Sequence, residues 1–265
     1  MRSADFFSTH PVFTHEEYLS AHGHGRERSP RTVDSLLGRQ VGSKRLLRVR
    51  RGLYAVVPGG SSRDDFEPDP FLVAGNLAAD AVVAYHAALQ FRGKAYSVWH
   101  RFPVLTATHM RPFTFRGNEF VAVAPPKPLR DAPDFGGGLV TEPYAGGHVR
   151  VTTLERTLVD VLDAPAHGGG WEEVWRSLEM VEYFDLDAVV GYALTFASAL
   201  TTARLGVFLE QHRERLFVEE QHLAPLRAAA PRQPRYFDSN REAGRLARGW
   251  NVVVPERVLS RSWEE

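Results

Sequence analysis

The sequence contains no cysteine, which excludes disulfides, thiolate zinc sites and cysteine nucleophiles. It also lacks any apolar run near the roughly 18–20 residues that a bilayer-crossing helix needs. The longest candidate, Phe71 to Leu89, is interrupted by Asn76, Asp80 and His86. The opening stretch MRSADFFSTH has no apolar leader core, so the expected location is cytoplasmic. Familiar catalytic spacings are missing as well. Glycine triplets occur at Gly136-Gly137-Gly138 and Gly168-Gly169-Gly170, but neither has the GxGxxG form and no GK[ST] follows. There is no GxSxG elbow and no HExxH pair. The expectation is a protein without enzymatic activity, cofactor or metal.

What is present is an ordinary globular composition, 43% hydrophobic and 24% charged, which is enough apolar material for a core. The formal net charge is +0, yet the charge is unevenly distributed. Arg26, Arg28, Arg31, Arg39, Lys44, Arg45, Arg48, Arg50 and Arg51 crowd a stretch whose acids are Glu27 and Asp34. A local basic block on a neutral chain is a footprint for a polyanion, set against the plainer reading of a solvated arginine-rich surface.

Around that block the pattern is helix, turn, helix, hairpin. Thr14 with Glu17 forms a capping box, and Phe13 with Tyr18 a hydrophobic staple, opening a first helix. His22-Gly23-His24-Gly25 breaks it. Ser29-Pro30 starts a second helix whose Val33, Leu36, Leu37 and Val41 form a buried stripe, with Gly42 as its end. Arg45 to Pro58 alternates as two strands around Arg51-Gly52, a hairpin with a basic tip. The expected fold is α+β: an N-terminal winged helix-turn-helix at 1–60, a linker at 61–69, and a mixed α/β domain at 70–265.

The second domain should open with a long helix whose face carries Phe71, Ala74, Ala78, Val82, Tyr85 and Leu89. Extended segments are predicted at 103–108, 113–116, 119–124 and 148–152, with a turn at Gly117-Asn118. Thr152 and Glu155 form a second capping box, opening a helix from Leu154 to Leu162 in which Arg156 and Asp160 pair at i,i+4. Further helices follow Gly170 and Asp185, another carries Leu205, Phe208 and Leu209, and Trp250 to Val254 reads as a terminal strand. Trp171, Trp175, Phe208 and Trp250 are core anchors.

On a winged helix the free face of the second helix enters the major groove while the hairpin approaches the neighbouring backbone. The residues assigned to DNA are Ser29 at the helix start, Arg31, Thr32, Ser35 and Arg39 on the free face, and Lys44, Arg45, Arg48, Arg50 and Arg51 for phosphates. The alternatives are a protein-interaction module using the same basic face, or a nuclease in which Asp134 and Glu142 hold magnesium. His22-Gly23-His24 lacks a third ligand at a metal-binding spacing.

Several ordered segments resemble the AbiEi family of antitoxin–repressors. They are FTHEE, SPRTVDSLLGR, RVRRGLYAVVP, VVAYHAALQFRG, VTTLERTLVDVLDAP, ARLGVFLEQ and WNVVVP. The ERTLVD segment followed by RLG is the most specific of them. Tyr85-His86 departs from the family's serine-containing lead-in. The resemblance implies a repressor that binds inverted repeats upstream of its own type IV toxin–antitoxin operon. It also implies a nucleotidyltransferase-like toxin as functional partner, countered without a direct complex, and two copies of the chain on DNA.

Overall fold

The computed structural model describes residues 3–22 and 30–263. It is a mixed α+β structure whose chain divides into two compact units. The first gathers Met1–Val83, His100–Val123 and Val140–Val151; the second gathers Ala84–Trp99, Ala124–Leu139 and Thr152–Glu265. The division cuts across the expected 1–60 and 70–265 partition, because one sheet recruits strands from distant parts of the sequence. Residues 61–69 have neither helix nor strand, but they lie inside unit one and do not separate the two units. They are nevertheless tied down: Arg63 donates to the Val41 carbonyl at 3.3 Å and its own carbonyl accepts from Arg116 at 2.9 Å.

Unit one begins with α1 (Ser3–Thr9), β1 (Val12–Thr14), α2 (His15–His22), α3 (Pro30–Gly42), β2 (Leu46–Arg50) and β3 (Leu53–Val56). β1 and β2 flank β3, both antiparallel to it. The helix starts follow from local chemistry. Thr14 N–H donates to Glu17 at 2.6 Å and Glu17 N–H donates back to the Thr14 hydroxyl at 3.2 Å, the reciprocal cap predicted for α2. Phe13 and Tyr18 meet at 5.8 Å between ring centroids. They join Phe6, Val33, Leu37, Leu46 and Tyr54 in a closed core. The sequence pattern missed β1 and α1, and α1 places the Phe6 ring against Phe13 and Tyr18 in this cluster.

The rest of unit one is α4 (Pro70–Gly75), β4 (Val82–Val83), β5 (Arg101–Leu105), β6 (Phe113–Phe115), β7 (Asn118–Val123), β8 (Leu139–Tyr144) and β9 (Gly147–Thr152). These strands form a six-stranded sheet in the order β6-β7-β5-β4-β9-β8. The single long helix predicted from Phe71 to Leu89 is therefore wrong. α4 stops at Gly75, and Val82 and Val83, both fully buried, become an interior strand. A short apolar run buried on both faces carries no period that separates strand from helix. The β6–β7 turn also falls one residue early, at Arg116-Gly117, both with positive φ.

Unit two consists of α5 (Tyr85–Phe91), α6 (Leu154–Asp163), α7 (Pro165–Gly168), α8 (Trp171–Glu179), α9 (Leu186–Phe196), α10 (Ala199–Gln211), α11 (Glu220–Ala229), β10 (Arg235–Tyr236), β11 (Gly244–Ala247), β12 (Val252–Pro255) and α12 (Glu256–Ser260). β12 is the middle strand of its sheet, parallel to β10 and antiparallel to β11. The cap of α6 is Thr153, whose hydroxyl accepts from Arg156 N–H at 3.3 Å, in place of the Thr152 and Glu155 pair. Thr152 instead bonds Thr157 at 2.7 Å, and Glu155 accepts from the Asp185 N–H at 3.4 Å. Trp171, Trp175, Phe208 and Trp250 are all core residues, as predicted. Among the described residues no helix is long and apolar enough to cross a membrane.

Candidate nucleic-acid interface

The candidate interface is built on α3 and the β2–β3 hairpin. α3 buries Val33 and Leu37 completely, which turns the opposite stripe outward. Arg31, Ser35 and Arg39 recur at four-residue spacing and share that outer face; they and Thr32 are exposed. The Ser35 hydroxyl donates to the Arg31 carbonyl at 2.9 Å, an ordinary helical back-bond. Ser29 lies outside the described residues.

α3 ends at Gly42, as expected, and a cap beyond it closes the helix. Gly42 remains helical, and Lys44 takes the left-handed conformation with φ 61°. Lys44 N–H donates to Val41 at 3.1 Å and Arg45 N–H to Gln40 at 3.0 Å, the two bonds of a Schellman cap. Glycine is the usual residue there, so a lysine at this position carries backbone strain. Lys44 and Arg45 are both exposed between α3 and the hairpin.

The hairpin displays Arg48 and Arg51, both exposed, around a turn made by Gly52 at φ 80°. Arg50 departs from its assignment. The strand register shifts between Arg48 and Arg50, a bulge of the kind that re-aims side chains. Arg50 is half-buried and donates to the Leu77 carbonyl and to Met110 Sδ, its guanidinium 5.5 Å from the Phe113 ring centroid. Burial holds this guanidinium below its ordinary range. Arg50 therefore ties the hairpin to the rest of unit one instead of facing a phosphate. Arg50→Ala is expected to lower stability by about 1.5–3 kcal/mol, the range for hydrogen bonds to charged groups. It should leave the salt dependence of any DNA binding unchanged; urea titration and binding isotherms over a salt series check both.

The other candidate residues are placed elsewhere. Asp134 lies in a left-handed turn of unit two, while Glu142 lies on β8 in unit one. Among the described residues no three His, Asp or Glu side chains converge on a cation site.

The segments ERTLVD and RLG form α6 and part of α10, which pack together. Arg156 and Asp160, both essentially fully buried, meet at 3.1 Å. Tyr192 O–H donates to Asp160 at 2.8 Å, and Arg156 also donates to the Gly137 carbonyl. Arg204 donates to the Leu162 and Asp163 carbonyls, both at 2.9 Å, at the end of α6 where no intrahelical partner remains. It also reaches the Phe237 carbonyl at 2.7 Å. These motif residues hold α6, α9, α10 and the β10 region in one arrangement.

A second buried cluster centres on His86. Its Nε2 lies 3.0 Å from Glu173, and its ring stacks on Trp99 at 4.3 Å. Glu173 also accepts from the Ser97 N–H and O–H and from Ser177. Burial holds the imidazole below its ordinary value of 6.5, against the pull of Glu173. Burial pushes Glu173 upward, yet Ser97 and His86 together hold it below its ordinary value of 4.5. The unfolded chain therefore takes up a proton on His86 below pH 6.5 that the folded chain resists. Stability from His86 is complete above that value and declines as pH falls toward the lowered folded one. Glu173 adds loss of the same sign at pH below 4.5. Thermal melts should show a decline of up to about 1.4 kcal/mol per pH unit below neutrality. The slope should flatten in His86→Gln; an equal slope in that variant would assign the effect to other groups.

The fold defines a mixed α+β protein with a basic helix and hairpin at its front. No family model matches the chain, and no curated protein matches it. Among solved structures it is similar to the Rv2827c protein of Mycobacterium tuberculosis, with a TM-score of 0.59. The likeness covers 97% of this chain and 91% of that one, at 18% identity, and establishes a shared fold.

Proposed function

We propose that the chain is a DNA-binding transcriptional repressor whose front segment is a winged helix-turn-helix. The observation that carries this reading is the order α1-β1-α2-α3-β2-β3 with its cations on one helix face and one hairpin. Arg31, Arg39, Lys44, Arg45, Arg48 and Arg51 are all exposed. α3 enters the major groove, where arginine pairs bidentately with guanine, and the hairpin lies along the adjacent backbone. Lys44, Arg45, Arg48 and Arg51 neutralise phosphates, which makes affinity fall with salt.

The resemblance of ERTLVD and RLG to the AbiEi family supports the wider role, that of antitoxin in a type IV toxin–antitoxin operon. The chain acts in the cytoplasm without catalysis or cofactor. It binds inverted repeats upstream of its own operon as two copies, and counters a nucleotidyltransferase-like toxin without a direct complex. The deciding experiment is a gel shift with the DNA upstream of its own gene. Arg39→Ala should weaken specific binding by about 1–3 kcal/mol, while Arg45→Ala should weaken all sequences alike and reduce the salt slope by about 1. Failure of the wild-type chain to bind at low salt overturns the repressor reading.

A further inference from the structure

Within unit one a cavity of about 460 Å³ opens where the helix pair meets the hairpin. His15, Asp34, Arg48, Arg51, Gly52 and Tyr54 line it. These residues come from α2, α3, β2, the hairpin turn and β3, so only the folded segment assembles them. Backbone bonds fix the joint. His15 N–H donates to the Gly52 carbonyl at 2.8 Å, and Thr14 lies in register with Leu53. His15 Nε2 is 3.0 Å from Asp34, the one carboxylate among the lining residues. Arg48 and Arg51 are exposed.

We propose that this cavity seats one phosphodiester group of duplex DNA, with Arg48 and Arg51 on its oxygens and His15 as a third donor. The inference rests on the DNA-binding reading and adds a residue to it, since His15 sits on the first helix, outside the expected set. A phosphate held by three side chains from separate elements fixes the position of the protein on the duplex without reading sequence. Asp34 plays the opposing part. It faces the imidazole at 3.0 Å and repels the incoming phosphate.

The charged groups near His15 are Asp34, Arg48 and Arg51, which line the cavity with it, and Glu16 and Glu17, which follow it on α2. An imidazole holds a phosphate more strongly as the cation than as the neutral ring, so a contact from His15 ties affinity for DNA to pH.

The test is fluorescence anisotropy of the full chain with a labelled duplex from its upstream region. Titrations run at about pH 8 and about pH 6, where imidazole charge differs most, over a salt series. Wild type should bind roughly 5- to 10-fold more tightly at the lower pH, and His15→Gln should lose that gain while remaining salt-sensitive. Arg51→Ala should reduce the slope of log K against log salt by about 1. Asp34→Asn, which removes the internal anion, should bind several-fold more tightly than wild type at the higher pH.

If wild type binds but His15→Gln keeps the full pH gain, or Arg51→Ala keeps the full salt slope, the seat is overturned and the repressor reading stands. If wild type does not bind the duplex at low salt, both fall. If inorganic phosphate binds and is lost in His15→Gln while duplex affinity is the same in all variants, the cavity belongs to a free anion and the DNA assignment is overturned.

Discussion

Arg156→Ala is expected to destabilise the folded chain by about 3–5 kcal/mol, the range for removing one partner of a buried ion pair. The large value comes from what is left behind. Asp160 is essentially inaccessible to water, and Arg156 is its cationic partner at 3.1 Å. Burial already pushes the Asp160 carboxyl upward from its ordinary range, against the pull of Arg156 and the Tyr192 hydroxyl. Without the guanidinium, that carboxyl either protonates or the surrounding core opens. The Gly137 carbonyl and the face of the Tyr192 ring, 5.0 Å from the guanidinium, lose their partner too. Urea titration by circular dichroism measures the loss. Arg156→Met combined with Asp160→Leu should recover much of it, since two apolar groups leave no buried charge. A single substitution costing less than about 1 kcal/mol, the level of an exposed pair, would mean that water reaches the site.

Gly206→Ala should be the second most damaging change, at about 3 kcal/mol, the upper end of the usual cost of overpacking a closed core. Helix propensity argues the other way, because alanine in a helix interior is favoured over glycine by about 1 kcal/mol. Packing decides the sign. A Cβ on Gly206 would fall inside the van der Waals envelope of the Trp250 six-membered ring. That ring cannot easily yield: it is 1% exposed, its indole N–H donates to Glu210 at 2.9 Å, and Arg227 lies 5.3 Å over its face. Thermal melts of Gly206→Ala in wild-type and Trp250→Val backgrounds separate the two effects, because removing the ring should restore the propensity gain. An unchanged midpoint in the wild-type background would show that the β11–β12 turn bearing Trp250 can shift away from α10.

These two sites lie in the segments ERTLVD and RLG. Their residues each have a fixed mechanical role. Arg156 and Asp160 neutralise each other inside the core, Arg204 closes the carbonyl end of α6, and Gly206 makes room for an indole. The i,i+4 spacing of Arg156 and Asp160 was legible, but their burial was not. A pair at that spacing looks the same on a solvated helix as inside a core.

The front segment shows the same limit from another side. The Thr14–Glu17 cap, the Val33 and Leu37 stripe and the hairpin around Gly52 could all be read in advance, because caps, periods and tight turns depend on neighbours within a few residues. Arg50 looked like its neighbours Arg48 and Arg51. A bulge and contacts with residues 27 and 60 positions away turned it into a structural tie. His15 was overlooked because the cavity that gives it meaning is assembled from five separate elements.

By itself, the order of residues determined the start of α2, the hairpin, the core aromatics and the concentration of positive charge at the front, since each is a matter of local hydrogen bonding, side-chain periodicity or simple composition. Tertiary structure alone decided that Val82 and Val83 form an interior strand, that distant segments share one sheet, and which arginines face solvent. Those outcomes depend on what each side chain meets across the fold, and burial by a remote partner leaves no periodic trace along the chain.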